Sequence, residues 1–245
     1  MRIVFFGSSH GVPEANRRCS SAMIEVGDRR YFSDMGTQSI EQLITRDIPI
    51  DSVKGIFFTH MHGDHTNGLI SFVDLCSWYF KNTDPAIYLP EPVDDTVAAL
   101  KAWLKCNGVE MRPFRFAPVH EGLLYEDEAI RVTAFRTKHN QMSHAFLVET
   151  TCGEEKRVLF TGDLCHKGPQ EDFPLSVFEK PLDLAICEVA HFSATKYLPL
   201  FENQPNLKRV CFNHYSHFFQ ETIYEAMKSI QVPAMMVSDG TEIVL

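Results

Sequence analysis

The chain has 245 residues, 44% hydrophobic and 22% charged, a composition that suits a folded globular protein and excludes a disordered or fibrous class. Lys and Arg total 23 against 32 Asp and Glu, a formal charge of −9, so the chain lacks the basic excess on which sequence-independent nucleic-acid binding rests. Seven scattered cysteines without a C-x-x-C pair exclude a disulfide framework and a cysteine zinc finger. No apolar run reaches the roughly eighteen residues of a membrane span, and Ile3–Phe6 is too short for a signal peptide. The expectation is a cytoplasmic protein with reduced thiols and no membrane partner.

In chain order, Ile3–Phe6, Ala22–Val26 and Arg30–Ser33 read as strands, the last two joined at Gly27-Asp28. Residues 36–46 read as a helix ending before Pro49, and Val53–Phe58 as a buried strand. Beyond Asp64, the residues Leu69, Phe72, Val73, Cys76, Tyr79 and Phe80 recur at helical spacing on one face. Ile87–Leu89 is a short strand, and Pro92 opens a helix that runs to Lys105. Trp78 and Trp103 fall at helical spacings and are expected in the core. Val109–Thr150 is mostly strand-like, with alternation at Ile130–Ala134.

Further strands follow at Val158–Phe160, Leu184–Cys187, Val210–Phe212, Ala234–Val237 and Glu242–Leu245, with helices at Ser193–Glu202 and Gln220–Ile230. The long stretch 164–180 fits either a loop over a pocket or a plain connection. This order accommodates one α/β domain over 1–245, an αββα sandwich of two mixed sheets with helices outside. The pattern by itself also fits other α/β folds.

The strongest signal is His60-x-His62-x-Asp64-His65, directly after the apolar run Gly55-Ile56-Phe57-Phe58. Extended backbone puts His60 and His62 on the same side, and Asp64 and His65 fall where the loop enters a helix. Imidazole and carboxylate together suit Zn, Mn or Fe. Four ligand-type residues within six positions at a strand end are far from a chance run of surface histidines.

The H-x-H-x-D-H pattern resembles the signature of the metallo-β-lactamase superfamily. Three more segments match its order: Arg136-Thr137-Lys138-His139, Thr161-Gly162-Asp163 and Asn213-His214. The resemblance implies that His60, His62 and His139 bind one divalent ion and that Asp64, His65 and His214 bind a second, with Asp163 bridging. Two ions, Zn or Mn with Fe as a further candidate, would supply a bridging hydroxide. Asp64 resembles the hydrolase version of the motif and counts among the catalytic residues as well as the ligands.

Two flanks resemble the RNase Z and small cyclic-phosphate phosphodiesterase branch. One is Gly7-Ser8-Ser9-His10-Gly11-Val12-Pro13, followed by Arg17-Arg18; the other is Glu188-Val189-Ala190-His191. They imply catalytic roles for Glu188 and His191, with His191 protonating the leaving alkoxide, and substrate contacts for His10 and Arg18. The other reading of His191 is a cap on the helix near Ser193. The usual tRNA-binding arm has no room in the 23 residues 140–162 between His139 and Asp163. The expected activity is hydrolysis of a small phosphodiester, cyclic phosphates included, rather than of a large nucleic acid. A lactonase or thioesterase and an armless tRNA 3′-endonuclease stay open as alternatives, and homodimerisation is compatible with the superfamily.

Overall fold

The computed structural model describes residues 1–245. The first three strands, β1 (Arg2–Gly7), β2 (Ser21–Val26) and β3 (Arg29–Met35), are antiparallel neighbours. Helix α1 (Ser39–Thr45) leads to β4 (Val53–Phe57), α2 (Gly63–Trp78), β5 (Ala86–Leu89), α3 (Val93–Cys106) and β6 (Arg115–Pro118). Strands β3 to β6 pair in parallel. A second sheet starts with the antiparallel strands β7 (Gly122–Glu126), β8 (Ile130–Arg136), β9 (His144–Thr150) and β10 (Arg157–Phe160). It continues in parallel through β11 (Leu184–Val189), β12 (Val210–Tyr215) and β13 (Ala234–Met236), with α4 (Leu198–Phe201) and α5 (Gln220–Ser229) between them. The last strand, β14 (Glu242–Val244), crosses back and pairs with the outer edge of β1.

Each sheet therefore has seven strands, and three apolar layers hold the αββα sandwich together. Ile3, Phe5, Tyr31, Phe57, Phe146 and Ile186 fill the space between the sheets. Val4, Phe6, Phe32, Leu69, Phe72 and Leu104 join the first sheet to α1–α3. Leu159, Phe212, Tyr197 and Ile223 join the second sheet to its own helices. Strands buried on both faces read as continuous apolar runs, which is why β1 shows no alternation. Burying each such side chain contributes about 1.5–3 kcal/mol.

Polar contacts clip the layers. Asp127, in the β7–β8 turn, accepts hydrogen bonds from Tyr31 (2.7 Å) and Tyr125 (2.8 Å) and from the backbone of Ala129 and Ile130. Tyr31 belongs to the first sheet, so this carboxylate ties the two together. Asp239 accepts from the Ser8 amide (2.9 Å), the Ser8 hydroxyl (2.8 Å) and the Arg18 amide (2.7 Å). It thereby anchors the loop after β1 to the segment before β14.

Several expectations need correction. Trp78 and Trp103 are 50% and 58% exposed and do not belong to the core. The buried stripe of α3 is Leu100 and Leu104, and Trp103 lies beside it on the solvent side. Helix α2 stops at Trp78, so Tyr79 swings into solvent at the C-cap instead of continuing the face of Leu69, Phe72, Val73 and Cys76. The segment expected as a helix from Ser193 is a 3₁₀ turn at Ala194–Tyr197 followed by the single-turn α4. Residues 164–180 form a packed connection whose Phe173, Val177 and Phe178 are buried. No helix is long and apolar enough to cross a membrane.

Candidate metal centre

The seven expected ligands converge at one rim of the sandwich. Thr59 leaves β4, His60 and His62 follow in the loop, and α2 starts at Gly63, so its first turn carries Asp64 and His65. His139 lies in the β8–β9 loop, Asp163 just after β10, and His214 within β12. Gly162 has φ +56°, and a Cβ there would lie 2.7 Å from the His144 carbonyl oxygen and 2.9 Å from the Thr59 side chain. Only glycine fits this turn, which swings Asp163 under the histidines. His214 (φ +49°) and Asp34 (φ +60°) also occupy the left-handed region. Such conformations cost about 1–3 kcal/mol each and persist where the surroundings enforce them.

Donor atoms fall into two groups, His60, His62, His139 and Asp163 in one and Asp64, His65 and His214 in the other, each within 4.8 Å. Nδ1 of His62 is 3.0 Å from Nε2 of His60 and 3.2 Å from Nε2 of His139. Oδ2 of Asp163 is 3.6 Å from Nε2 of both His60 and His139. Its Oδ1 faces the other group, 3.4 Å from Nε2 of His65 and 3.3 Å from Nε2 of His214. Asp64 Oδ2 completes that group at 3.3 and 3.6 Å from the same two nitrogens.

Two ligands bound at about 2.0–2.1 Å to a tetrahedral ion stand about 3.4 Å apart. The spacing thus fits two cations sharing the Asp163 carboxylate. Asp163 Oδ1 and His65 Nε2 are buried without a hydrogen-bond partner, as atoms reserved for an ion would be.

Burial, then the neighbouring His65, lowers the His60 pKa to about 2 and keeps that imidazole neutral, the form that binds metal. Burial opposes the charged form of Asp163, but His214 and His65 outweigh it and hold the carboxyl well below its usual range. The nitrogens facing away from the cluster are also engaged. His65 Nδ1 lies 2.7 Å from Asp34, His60 Nδ1 3.1 Å from the Thr59 hydroxyl, and His214 Nδ1 2.9 Å from the Ser9 carbonyl. Such partners fix ring orientation and tautomer.

Asp34 also accepts from the Thr59 amide and hydroxyl, and sequence reasoning missed it. A lone aspartate in a strand carries no spacing signal. Asp172, a lone aspartate at the end of a short 3₁₀ turn, was missed because it too has no spacing signal. Its Oδ2 accepts from the amides of Lys138 (2.6 Å), next to His139, and Cys165 (3.0 Å), two residues after Asp163.

Glu188 and His191 form a pair. The buried Glu188 carboxylate lies 3.0 and 3.2 Å from His191 Nδ1 and accepts from the amides of Leu164 and Ala190. His191 Nε2 points at Asp163, 3.7 Å from Oδ2. Burial disfavours the imidazolium, but the hydrogen bond and charge of Glu188 outweigh it and raise the pKa to about 9. The cap of the following turn is Ser193, whose hydroxyl accepts from the Thr195 amide, so His191 is not a capping residue.

Of the two expected substrate contacts, His10 Nε2 lies 3.5 Å from Glu14, and Arg18 lies 3.5 Å from Asp239 at the edge of a cleft. His217 turns to Glu14 as well.

Two packed seven-stranded sheets, with His and Asp ligands gathered at one rim, define a metallo-β-lactamase-fold protein. The model of the family described as Anti-Pycsar protein Apyc1 matches residues 1–175, and the chain belongs to that family. Ribonuclease Z of Crocosphaera subtropica (strain ATCC 51142 / BH68) is 33% identical over 151 residues, 60% of this chain and 47% of that protein. Ribonuclease Z of Rippkaea orientalis (strain PCC 8801 / RF-1) is 36% identical over 142 residues, 57% of this chain and 44% of that one. The chain thus spans about half the length of the curated relatives it matches. Among solved structures, the short form of human tRNase Z (ELAC1) superposes with a TM-score of 0.74 at 20% identity, covering 100% of this chain and 99% of that one. YhfI from Bacillus subtilis superposes with a TM-score of 0.77 at 16% identity, covering 99% and 98%.

Proposed function

We propose that the protein is a binuclear metal-dependent hydrolase, a phosphodiesterase acting on a small phosphodiester, with cyclic phosphates among its candidate substrates. The observation that carries this reading is the Asp163 carboxylate, whose two oxygens face two separate ligand groups at 3.3–3.6 Å. His60, His62 and His139 would hold one ion and Asp64, His65 and His214 the other. A bound pair of divalent cations supplies Lewis-acid stabilisation of phosphoryl charge and an activated water.

The rest of the chemistry falls to the chain. In this reading His191 Nε2 gives a proton to the departing alkoxide oxygen while Glu188 holds Nδ1; the 3.7 Å approach of Nε2 to Asp163 and the Glu188 hydrogen bond support it. His191 is thus the candidate catalytic residue and Glu188 a positioning residue. Phosphoester chemistry is supported by the relatives named Ribonuclease Z. They also favour the second reading, an armless tRNA 3′-endonuclease. Against a large RNA stand the charge of −9 and an interval, 140–162, occupied by the β9–β10 hairpin.

Loading with Mn²⁺ or Zn²⁺ is expected to give turnover of bis(p-nitrophenyl) phosphate that Asp163→Ala abolishes. Two bound ions without turnover of that ester or of a cyclic-phosphate panel would sink the phosphodiesterase reading and bring lactones and thioesters forward.

A further inference from the structure

A small cavity of about 30 Å³ lies between the two sheets, against the ligand cluster. Its walls come mostly from strands. Ala22 and Ser33 are register partners on the first sheet, and Phe160, Ile186 and Asn213 belong to the second. Ala22, Phe160 and Ile186 are also members of the apolar layer between the sheets, so the cavity caps that layer where it reaches the metal rim. Of the seven ligands, His65, Asp163 and His214 line it and the other four do not.

The polar groups around this cavity lack partners. Alternation along β12 turns Asn213 the same way as Cys211, into the space between the sheets. Its side-chain amide makes no hydrogen bond within the chain, and Oδ1 is buried. Asp163 Oδ1, from the same lining, is buried and unpartnered as well. The buried Ser20 and Ser33 add two hydroxyls that make no hydrogen bond within the chain. Two acceptors and two hydroxyl donors therefore border one space, and a buried acceptor left unmet is costly. A carboxylate oxygen has two lone pairs, so Asp163 Oδ1 can take an ion on one and a hydrogen bond on the other. Water matches the set, with two O–H donors for the acceptors and two lone pairs for the hydroxyls. Roughly 10–15 Å³ is enough to admit one molecule.

We propose that this cavity is a water-binding site and that Asn213 is a positioning residue of the metal centre, holding Asp163 through that water. The water donates to Asn213 Oδ1 and to Asp163 Oδ1 and accepts from Ser33. Outer hydrogen bonds of this kind orient ligating carboxylates and tune their hold on an ion. The assignment rests on the two-ion reading above and is independent of which ester the centre cleaves. In a dry cavity the Asn213 amide would be a pure loss, and a leucine of nearly the same size would improve the site by removing an unmet polar group. The wet and dry cases thus differ in sign.

The test uses zinc-loaded wild type, Asn213→Leu, Ser33→Ala and the double variant. Zinc affinity is read by competition with a chromophoric chelator, and the water by rotating-frame cross-peaks to the Asn213 side-chain amide. The wild type is expected to show a cross-peak with the sign of a long-lived bound water rather than that of hydrogen exchange. Asn213→Leu is expected to weaken zinc binding about tenfold, and Ser33→Ala to weaken it less while reducing the cross-peak. The double variant is expected to bind zinc no worse than Asn213→Leu alone, because the shared water is already lost. Unchanged or tighter binding in Asn213→Leu, fully additive losses, or no cross-peak in the wild type would each overturn the assignment. Should Asn213→Leu fail to fold, Ser33→Ala and the cross-peak decide it. A wild type that binds no zinc would overturn the two-ion centre as well, whereas zinc binding without the cross-peak would overturn this assignment alone.

Discussion

An imidazole pinned at one nitrogen by a buried carboxylate presents the other in a fixed direction, and His191 is held this way by Glu188. Demand for a general acid grows with the basicity of the leaving alkoxide. His191→Ala is therefore expected to lower kcat about 10²–10³-fold for an alkyl leaving group, and much less for p-nitrophenoxide, with both ions still bound. Equal losses for the two leaving groups, measured on one metal-loaded preparation, would remove the acid role. Glu188→Gln should show the same leaving-group dependence in weaker form. The pair was visible in sequence as two ligand-type residues after a strand, but their contact was not. It depends on the chain turning back at Ala190, whose amide is itself held by Glu188. Asp34 was invisible for a related reason, because its role comes from a left-handed backbone that points it at His65 from another strand.

His60, His62, His139 and Asp163 sit on loops, Asp64 and His65 in the first turn of α2 and His214 in β12, and the surrounding elements set their spacing. Asp172 bonds the amides next to His139 and near Asp163, and the Thr137 hydroxyl donates to the Asp163 carbonyl (2.9 Å). Asp172→Ala removes one of these two bridges between the same loops. The expected result is a metal affinity about 10–100-fold lower, as for other supporting partners of ligands, measured by competition with a chromophoric chelator while circular dichroism stays native. Unchanged affinity would assign Asp172 to the packing of 164–180 alone. Gly36 is the contact point of the 36–38 turn with Asp64. Gly36→Ala should cost about 1–3 kcal/mol of overpacking, readable in denaturant melts.

Strand and helix positions were largely legible from apolar runs and helical spacing. The surface positions of Trp78 and Trp103 were not, since periodicity marks a stripe without saying where a helix stops or which flank meets solvent.

Across the whole molecule, Asp127 is a polar tie between the sheets. Asp127→Ala strands two tyrosine hydroxyls and two amides, with an expected cost of about 2–3 kcal/mol in urea unfolding. Burial opposes ionisation of Asp127, but hydrogen bonds from Ile130 and Tyr31 outweigh it and lower its pKa from 3.8. A depressed carboxylate pKa contributes stability that is complete above about pH 4 and lost as the pH falls through the folded value. The wild type should accordingly lose its stability advantage over Asp127→Ala on acidification below pH 4. A stability difference that stays constant across that range would show the tie to be uncharged in effect.

Strand β14 closes the outer edge of β1, and Asp239 fixes Ser8, next to the Ser9 carbonyl that meets His214. During synthesis the first strand leaves the ribosome long before the residues that complete its sheet. Until residues 239–244 emerge, β1 keeps a bare hydrogen-bonding edge, of the kind that pairs with other chains, and the loop beneath His214 lacks the bonds that Asp239 gives Ser8 and Arg18. A chain arrested before residue 239 would therefore carry an uncovered strand edge next to a metal centre whose supporting loop lacks its Asp239 contacts.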